Sequence, residues 1–246
     1  MSAANDVVIV SALRTAIGTF NGSFGTLHAH KLGEAVIRET LARTKVNGAD
    51  VSEVILGQIL TAGCGPNPAR QASLNGGVPK ETPAWGINQL CGSGLRAVCL
   101  GYQAIKNGDS NIVIAGGQES MSMAPHALNL RTPTKMGNAA MVDTMIFDAL
   151  LDPFHNIHMG VTAENIAKQF GISRQEQDEF ALSSQQKAAA AMSAGKFKDE
   201  IIPVVIKSKK GDATVDTDEH PKADTTMESL SKLRAAFDKE GTVTAG

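Results

Sequence analysis

Along the first 120 residues, short β-branched runs alternate with longer stretches of helical period. Residues 6–11 read as a strand. Residues 32–43 place Leu32, Ala35, Val36, Ile37 and Leu41 on one face, which predicts a helix. A second strand is predicted over 54–60, a short helix over 67–74 and a third strand over 83–90. Residues 95–106 are apolar nearly all round, so a buried helix is expected there. Asn107-Gly108-Asp109 ends it, and 111–115 reads as another strand. Alternation of this kind predicts a layered α/β domain with a largely parallel sheet.

After Gly117 the pattern loses its period. Residues 118–159 are rich in Met, Pro, His and Asn and read as loop, with one short helix over 142–151. Helices are predicted over 162–170 and 173–194. Ser173 and Glu176 have the spacing of a capping box, and Gly195 stands where a C-terminal cap belongs. Residues 201–207 and 213–215 suit a hairpin across Lys210-Gly211-Asp212, and 230–237 a last helix. The expected boundary lies near residue 120, between a compact α/β domain (1–120) and a loop-rich region (121–246).

Composition adds exclusions. The chain has 246 residues, 42% hydrophobic and 20% charged, as in an ordinary soluble globular protein. A net charge of −2 gives no reason to expect a nucleic-acid partner. No apolar run approaches the ~20 residues that cross a bilayer. The start lacks the basic and long apolar stretches of a secretory signal and the Arg-rich character of a transit peptide. Three cysteines, Cys64, Cys91 and Cys99, do not make a disulfide framework, so a reducing, cytoplasmic setting is expected.

Of the three, Cys91 has a setting that suits a nucleophile. It falls between a strand ending near Leu90 and a helix beginning near Gly94. A helix N-terminus supplies unpaired N–H groups and about half a positive charge, which favour thiolate over thiol. Gly92 and Gly94 remove Cβ atoms where a substrate and the turn must come close. The Cys91 N–H is placed to help hold an oxyanion during acyl transfer. The alternative is a small buried hydrophobe, as free cysteines often are. For Cys99, on the apolar helix, and for Cys64, in the loop Gly63-Cys64-Gly65-Pro66, that structural reading is the expected one.

Other candidates end sooner. The pairs Gly76-Gly77 and Gly116-Gly117 make neither a phosphate loop nor a dinucleotide fingerprint. His155 and His158, and His28 and His30, have no partner pattern that completes a metal site, so no metal is expected. Asn21-Gly22-Ser23 matches a glycosylation acceptor without a secretory context. Residues 207–210 read as a solvated turn.

Several separated segments carry a family likeness. They are Val8-Ile9-Val10-Ser11 with Arg14-Thr15; Gly63-Cys64-Gly65-Pro66-Asn67-Pro68-Ala69-Arg70-Gln71-Ala72; Asn88-Gln89-Leu90-Cys91-Gly92-Ser93-Gly94-Leu95; Ala115-Gly116-Gly117-Gln118-Glu119-Ser120-Met121-Ser122; His158-Met159-Gly160 with Thr162-Ala163-Glu164-Asn165; and Gly241-Thr242-Val243-Thr244-Ala245-Gly246. In this order they resemble the N-terminal part of the thiolases, and within them the acetyl-CoA acetyltransferase branch. The likeness implies the layered α/β/α/β/α thiolase fold, of which this chain carries the first α/β half and the loop domain.

It also implies a mechanism. Cys91 would accept an acetyl group from acetyl-CoA, and the enolate of a second acetyl-CoA would attack that thioester to give acetoacetyl-CoA. The reverse thiolysis is equally open. No cofactor is implied beyond the coenzyme A thioesters themselves. By position in the family, His158 and Met159 line the acyl and pantetheine channel. Lys222, Asp224 and Thr225 meet the nucleotide end, with Lys222 where Arg is common. Ser229, Phe237, Ala245 and Gly246 lie along the same channel, and Leu150 packs on the adenine. Without the likeness, Met159 reads as core filler and Lys222, Asp224 and Thr225 as surface loop. Family members assemble as dimers or tetramers, so a homo-oligomer is expected. Phe154 stands where a Tyr accompanies potassium dependence, which argues against that dependence.

The departure is at the far end. The family's downstream Asn in an Asn-Glu-Ala-Phe segment, His in Gly-His-Pro and Cys in Cys-x-Gly-Gly-Gly are absent from the sequence. Alone, the chain is expected not to complete the reaction. A ketoacyl synthase is the nearest rival, disfavoured by the long region after Gly117 with His158-Met159-Gly160. A truncated, non-catalytic chain that binds a partner half or coenzyme A is the reading from another class. A cysteine protease lacks a recognisable His or Asn context.

Overall fold

The alternation predicted for the first part of the chain is present, with shorter strands. The computed structural model describes residues 6–131, 134–207, 209 and 211–246. Strand β1 (Arg14–Thr15) precedes helix α1 (Ala29–Thr44), and β2 (Glu53–Gly57), α2 (Pro68–Asn75), β3 (Ala84–Ile87), α3 (Ser93–Asn107) and β4 (Val113–Gly117) follow. Next come β5 (His126–Ala127), β6 (Val142–Asp143), a π-helical turn at Ile146–Leu150, β7 (Leu151–Asp152) and β8 (Ile157–His158). Helices α4 (Met159–Phe170) and α5 (Arg174–Ser193), strands β9 (Ile201–Ile202), β10 (Val204–Ile206) and β11 (Ala213–Val215), and helix α6 (Met227–Ser231) complete the order.

The chain divides into two compact units, Met1–Met145 with Asp199–Glu219, and Ile146–Lys198 with His220–Gly246. Neither edge coincides with the boundary expected at residue 120. Segment 199–219 returns to the first unit because β9 pairs in parallel with β1. Arg14 then bridges Glu200 and Asp218 with its guanidinium.

In the first unit, β2 lies between β3 and β4 in a parallel sheet. Val54 and Leu56 project to one face, where they join Ile37 of α1 and Ala69 and Ala72 of α2 in a core. Each such large aliphatic side chain contributes about 1.5–3 kcal/mol on burial. Alternation sends Ile55 and Gly57 to the other face, against α3. A Cβ on Gly57 would stand 2.5 Å from the Ser93 carbonyl carbon, so glycine there lets the start of α3 rest on the strand.

Five expectations are corrected. Residues 6–11 form no strand and join no sheet among the described residues, and Val8, Ile9 and Val10 are exposed. Helix α3 is not buried all round: Ser93, Ala97 and Gly101 face the sheet, whereas Leu95, Val98, Cys99 and Tyr102 are exposed. The expected helix over 142–151 is instead strand, π-turn and strand. The predicted strand over 201–207 is divided at Pro203, which has no N–H for a ladder. Its hairpin is present, with Val204 opposite Val215 and Ile206 opposite Ala213. Lys210 of the expected turn, and Ser208 in the run 207–210, lie outside the described residues. The last helix is shorter than expected and starts earlier, where Thr226 caps it in a capping box closed by Ser229 in its first turn.

In the second unit, β7 and β8 form a hairpin that places Leu151 opposite His158. His158 is the N-cap of α4, and the Ser173–Glu176 capping box opens α5.

Candidate active site

β3 ends at Ile87 and α3 begins at Ser93, so Cys91 sits exposed on the turn between them. The turn is tied in several places. Leu90 N donates to Asn88 Oδ1 at 2.9 Å. Gly92 N donates to Gln89 O at 3.1 Å and Ser93 N to Leu90 O at 3.0 Å. Leu90 adopts φ +49, a left-handed conformation that costs a non-glycine residue about 1 kcal/mol. The result is a thiol held out at the positive end of a helix, at the carboxyl edge of a parallel sheet, where α/β folds place ligands.

The neighbouring strand ends form a fixed floor. Gln118 Nε2 donates to Gln58 Oε1, and Gln58 Nε2 to Leu60 O, both at 2.8 Å. The Glu119 carboxylate accepts from Ile59 N at 2.8 Å and Leu60 N at 3.3 Å. Burial pushes the Glu119 carboxyl above its ordinary range, partly offset by these N–H donors. Beside the floor, a cavity of about 350 Å³ is lined by Leu56, Gln58, Asn67, Ile87 and Asn88, so it shares Asn88 with the Cys91 turn. Cys64 is half-buried in the same loop. Burial raises its thiol, which donates to Leu60 O at 3.6 Å. Among the described residues, no three His, Cys, Asp or Glu side chains are grouped to hold a metal. No described helix is long and apolar enough to cross a membrane.

The second unit carries the other predicted residues. His158 Nδ1 accepts from Gly160 N at 3.0 Å, and its ring stacks on Phe237 with centroids 4.9 Å apart. Met159 is about half exposed. Lys222 and Thr225 form a turn, with Thr225 Oγ1 donating to Lys222 O at 2.8 Å, while Lys222 N donates to Gln185. Asp224 is exposed in that turn. Ser229 spends its hydroxyl on the cap of α6, donating to Thr226 O and accepting from Thr226 N. Leu150 is half-buried at the end of the π-turn. Ala245 and Gly246 are exposed, and Gly246 abuts Leu230 and Leu233. The structure thus brings His158 and Phe237 into contact and sets Lys222, Asp224 and Thr225 in one turn.

Two features escaped the sequence reading. Ser93 ties the Cys91 turn, and Glu164 anchors the terminal segment by accepting from Thr242 N at 2.9 Å and Val243 N at 2.8 Å. A Ser two residues after a candidate nucleophile and a Glu inside Thr162-Ala163-Glu164-Asn165 were the available signals.

Residues 7–246 match the thiolase N-terminal domain family. The chain belongs to the thiolase family. Its thiolase fold is matched by the crystal structure of the Bacillus anthracis acetyl-CoA acetyltransferase, with a TM-score of 0.93 and 39% identity over 97% of this chain and 60% of that one. An acetyl-CoA acetyltransferase of Rhizobium meliloti is 59% identical over 98% of this chain and 61% of its own length. A cytosolic acetyl-CoA acetyltransferase of Mus musculus is 51% identical over 99% of this chain. The chain therefore spans about three fifths of the length of these thiolase relatives.

Proposed function

We propose that this chain is the nucleophile-bearing part of an acetyl-CoA C-acetyltransferase. The observation that carries the reading is Cys91, exposed on a tied turn at the N-terminus of α3. Its sulfur attacks the carbonyl of acetyl-CoA; the new S–C bond forms, the bond to coenzyme A breaks, and the coenzyme A sulfur takes up the proton. A second acetyl-CoA loses a methyl proton, and its carbanion displaces the Cys91 sulfur to give acetoacetyl-CoA. Backbone N–H groups at the start of α3 stabilise the oxyanion of each addition. The base for the second step and the remaining oxyanion donors are expected on a second α/β half. His158, Met159, Phe237, Ser229, Ala245 and Gly246 are assigned to the pantetheine channel. Lys222, Asp224 and Thr225 are assigned to the nucleotide end and Leu150 to the adenine. The chemistry asks for no cofactor beyond the thioesters. A cytoplasmic homo-oligomer, dimer or tetramer, completes the reading.

The test is labelled acetyl-CoA with peptide mass spectrometry, and Cys91→Ala as control. The expected result is an acetyl adduct on Cys91 once the second half is supplied. No adduct in that mixture sinks the assignment.

A second reading is supported by the exposed apolar side of α3. Leu95, Val98 and Tyr102 make a face suited to a partner half, so the chain by itself is a binding module without turnover. Acetoacetyl-CoA formation by the chain alone would exclude it.

A further inference from the structure

Ser93 couples the sheet to the turn that carries Cys91. It is 4% exposed, and its hydroxyl accepts from Gln89 N at 2.8 Å and donates to Leu90 O at 2.6 Å. Those two residues immediately precede Cys91. The main chain of Ser93 rests closely on the bare Cα of Gly57, where a Cβ would not fit, and Gly94 packs more loosely against Gly117, so the start of α3 resists following a shift of the turn. A hydroxyl fixed to the sheet at one end therefore holds two successive peptide groups at the other, including Leu90 in its left-handed conformation. Asn88 adds one further tether, accepting from Leu90 N.

We propose that Ser93 is a positioning residue for Cys91, holding the turn so that the thiol and the N–H of Cys91 keep one orientation at the start of α3. The proposal rests on the reading of Cys91 as the nucleophile. A hydroxyl that merely satisfied polar groups near a helix terminus would support the fold without affecting one reaction of Cys91 more than another. A positioning hydroxyl acts selectively. Acyl transfer needs the attacking sulfur and the oxyanion donors aligned together, whereas simple alkylation needs only an accessible sulfur.

The test compares two probes on the chain as it stands, read thiol by thiol through peptide mass spectrometry. With p-nitrophenyl acetate, the sulfur attacks the ester carbonyl, p-nitrophenolate leaves and the thiol proton passes to buffer. With iodoacetamide, the sulfur displaces iodide and no oxyanion forms. Cys99, exposed further along α3, is the internal reference. For Ser93→Ala, the Cys91-to-Cys99 acetylation ratio is expected to fall about tenfold, a part of the roughly hundredfold or more that outright loss of an oxyanion donor costs. The alkylation ratio is expected to stay within about twofold. Asn88→Ala, at an exposed position, is expected to lower the acetylation ratio in the same selective way, and it decides the matter should Ser93→Ala fail to fold. An unchanged acetylation ratio, or both ratios falling together, overturns the proposal while leaving the nucleophile reading intact. Wild-type Cys91 acetylating no faster than Cys99 means that the turn aligns no oxyanion donor in this chain and overturns the proposal, whereas the nucleophile reading is decided separately by the acetyl-CoA adduct in the presence of the second half.

Discussion

The imidazole of His158 lies face to face with the ring of Phe237, 4.9 Å between centroids and 18° between planes. The stack exists because Gly160, two residues into the loop-to-helix transition, leaves room for it: a Cβ on Gly160 would collide with the Phe237 ring. His158 is held from below by the Gly160 N–H, so one glycine serves both the cap and the stack.

Gly160→Ala is therefore expected to push Phe237 off His158 and to destabilise the second unit by about 1–3 kcal/mol, the usual cost of overpacking. Thermal unfolding measures the loss. Phe237→Ala in the Gly160→Ala background is expected to recover part of it, because the collision partner is gone. No recovery would mean that the alanine acts through the backbone instead.

Asp218 gives a pH-dependent expectation. Arg14 donates to its two oxygens at 2.7 and 2.9 Å, and Ile17 N adds a third donor at 2.8 Å. The Arg14 hydrogen bonds hold the Asp218 carboxyl below the ordinary aspartate range, against the opposing effect of burial. A depressed carboxyl contributes stability that is present above the unfolded value of about 3.9 and is lost as pH falls through the folded value. Asp218→Asn is thus expected to cost about 2–3 kcal/mol at neutral pH, with a smaller difference from wild type below about pH 4. Urea unfolding at both pH values checks it, and a difference independent of pH contradicts the assignment.

Glu164 joins residues far apart in sequence: its carboxylate accepts from the N–H groups of Thr242 and Val243. Glu164→Ala leaves both donors without that partner and is expected to cost about 1–2 kcal/mol. The loss should be local. Amide hydrogen exchange at Thr242 and Val243 should accelerate about tenfold while the α5 amides keep their protection. Uniform acceleration across the unit would point to global loosening.

How much of this was legible follows from how local each determinant is. Helix α1 was readable from its apolar period and α5 from its cap, Ser173 with Glu176, because each determinant lies within one segment. The strand expected at residues 6–11 was not secured, since pairing needs a neighbour and Val8, Ile9 and Val10 have none among the described residues. Helix α3 reads as buried because Leu95, Val98 and Tyr102 are apolar, but burial also depends on what stands opposite. At the site, Gly92 and Gly94 marked the turn, while Ser93 did not stand out; its role comes from bonds back to Gln89 and Leu90. Glu164 was unreadable for the simplest reason, with acceptor and donors 78 and 79 residues apart.

The open side of α3 supplies the last expectation. Leu95 is 73% exposed and Tyr102 51%, so Leu95→Glu and Tyr102→Glu should change the stability of the chain alone by less than about 0.5 kcal/mol. If this face receives a second α/β half, each wild-type side chain contributes about 1.5–3 kcal/mol to that contact, and a buried unpaired carboxylate opposes it. Mixing the chain with the remaining two fifths of a relative such as the Rhizobium meliloti protein, followed by size-exclusion chromatography, reads the contact directly. Wild-type chain should co-elute with the added half and the double variant should not. Co-elution of both would place the contact elsewhere, and the β4 edge of the sheet or the segment 6–11, which joins no sheet among the described residues, would then be the surfaces to substitute. Loss of binding at unchanged stability separates a docking face from a folding defect, because only the former leaves the unmixed chain indifferent to two new charges.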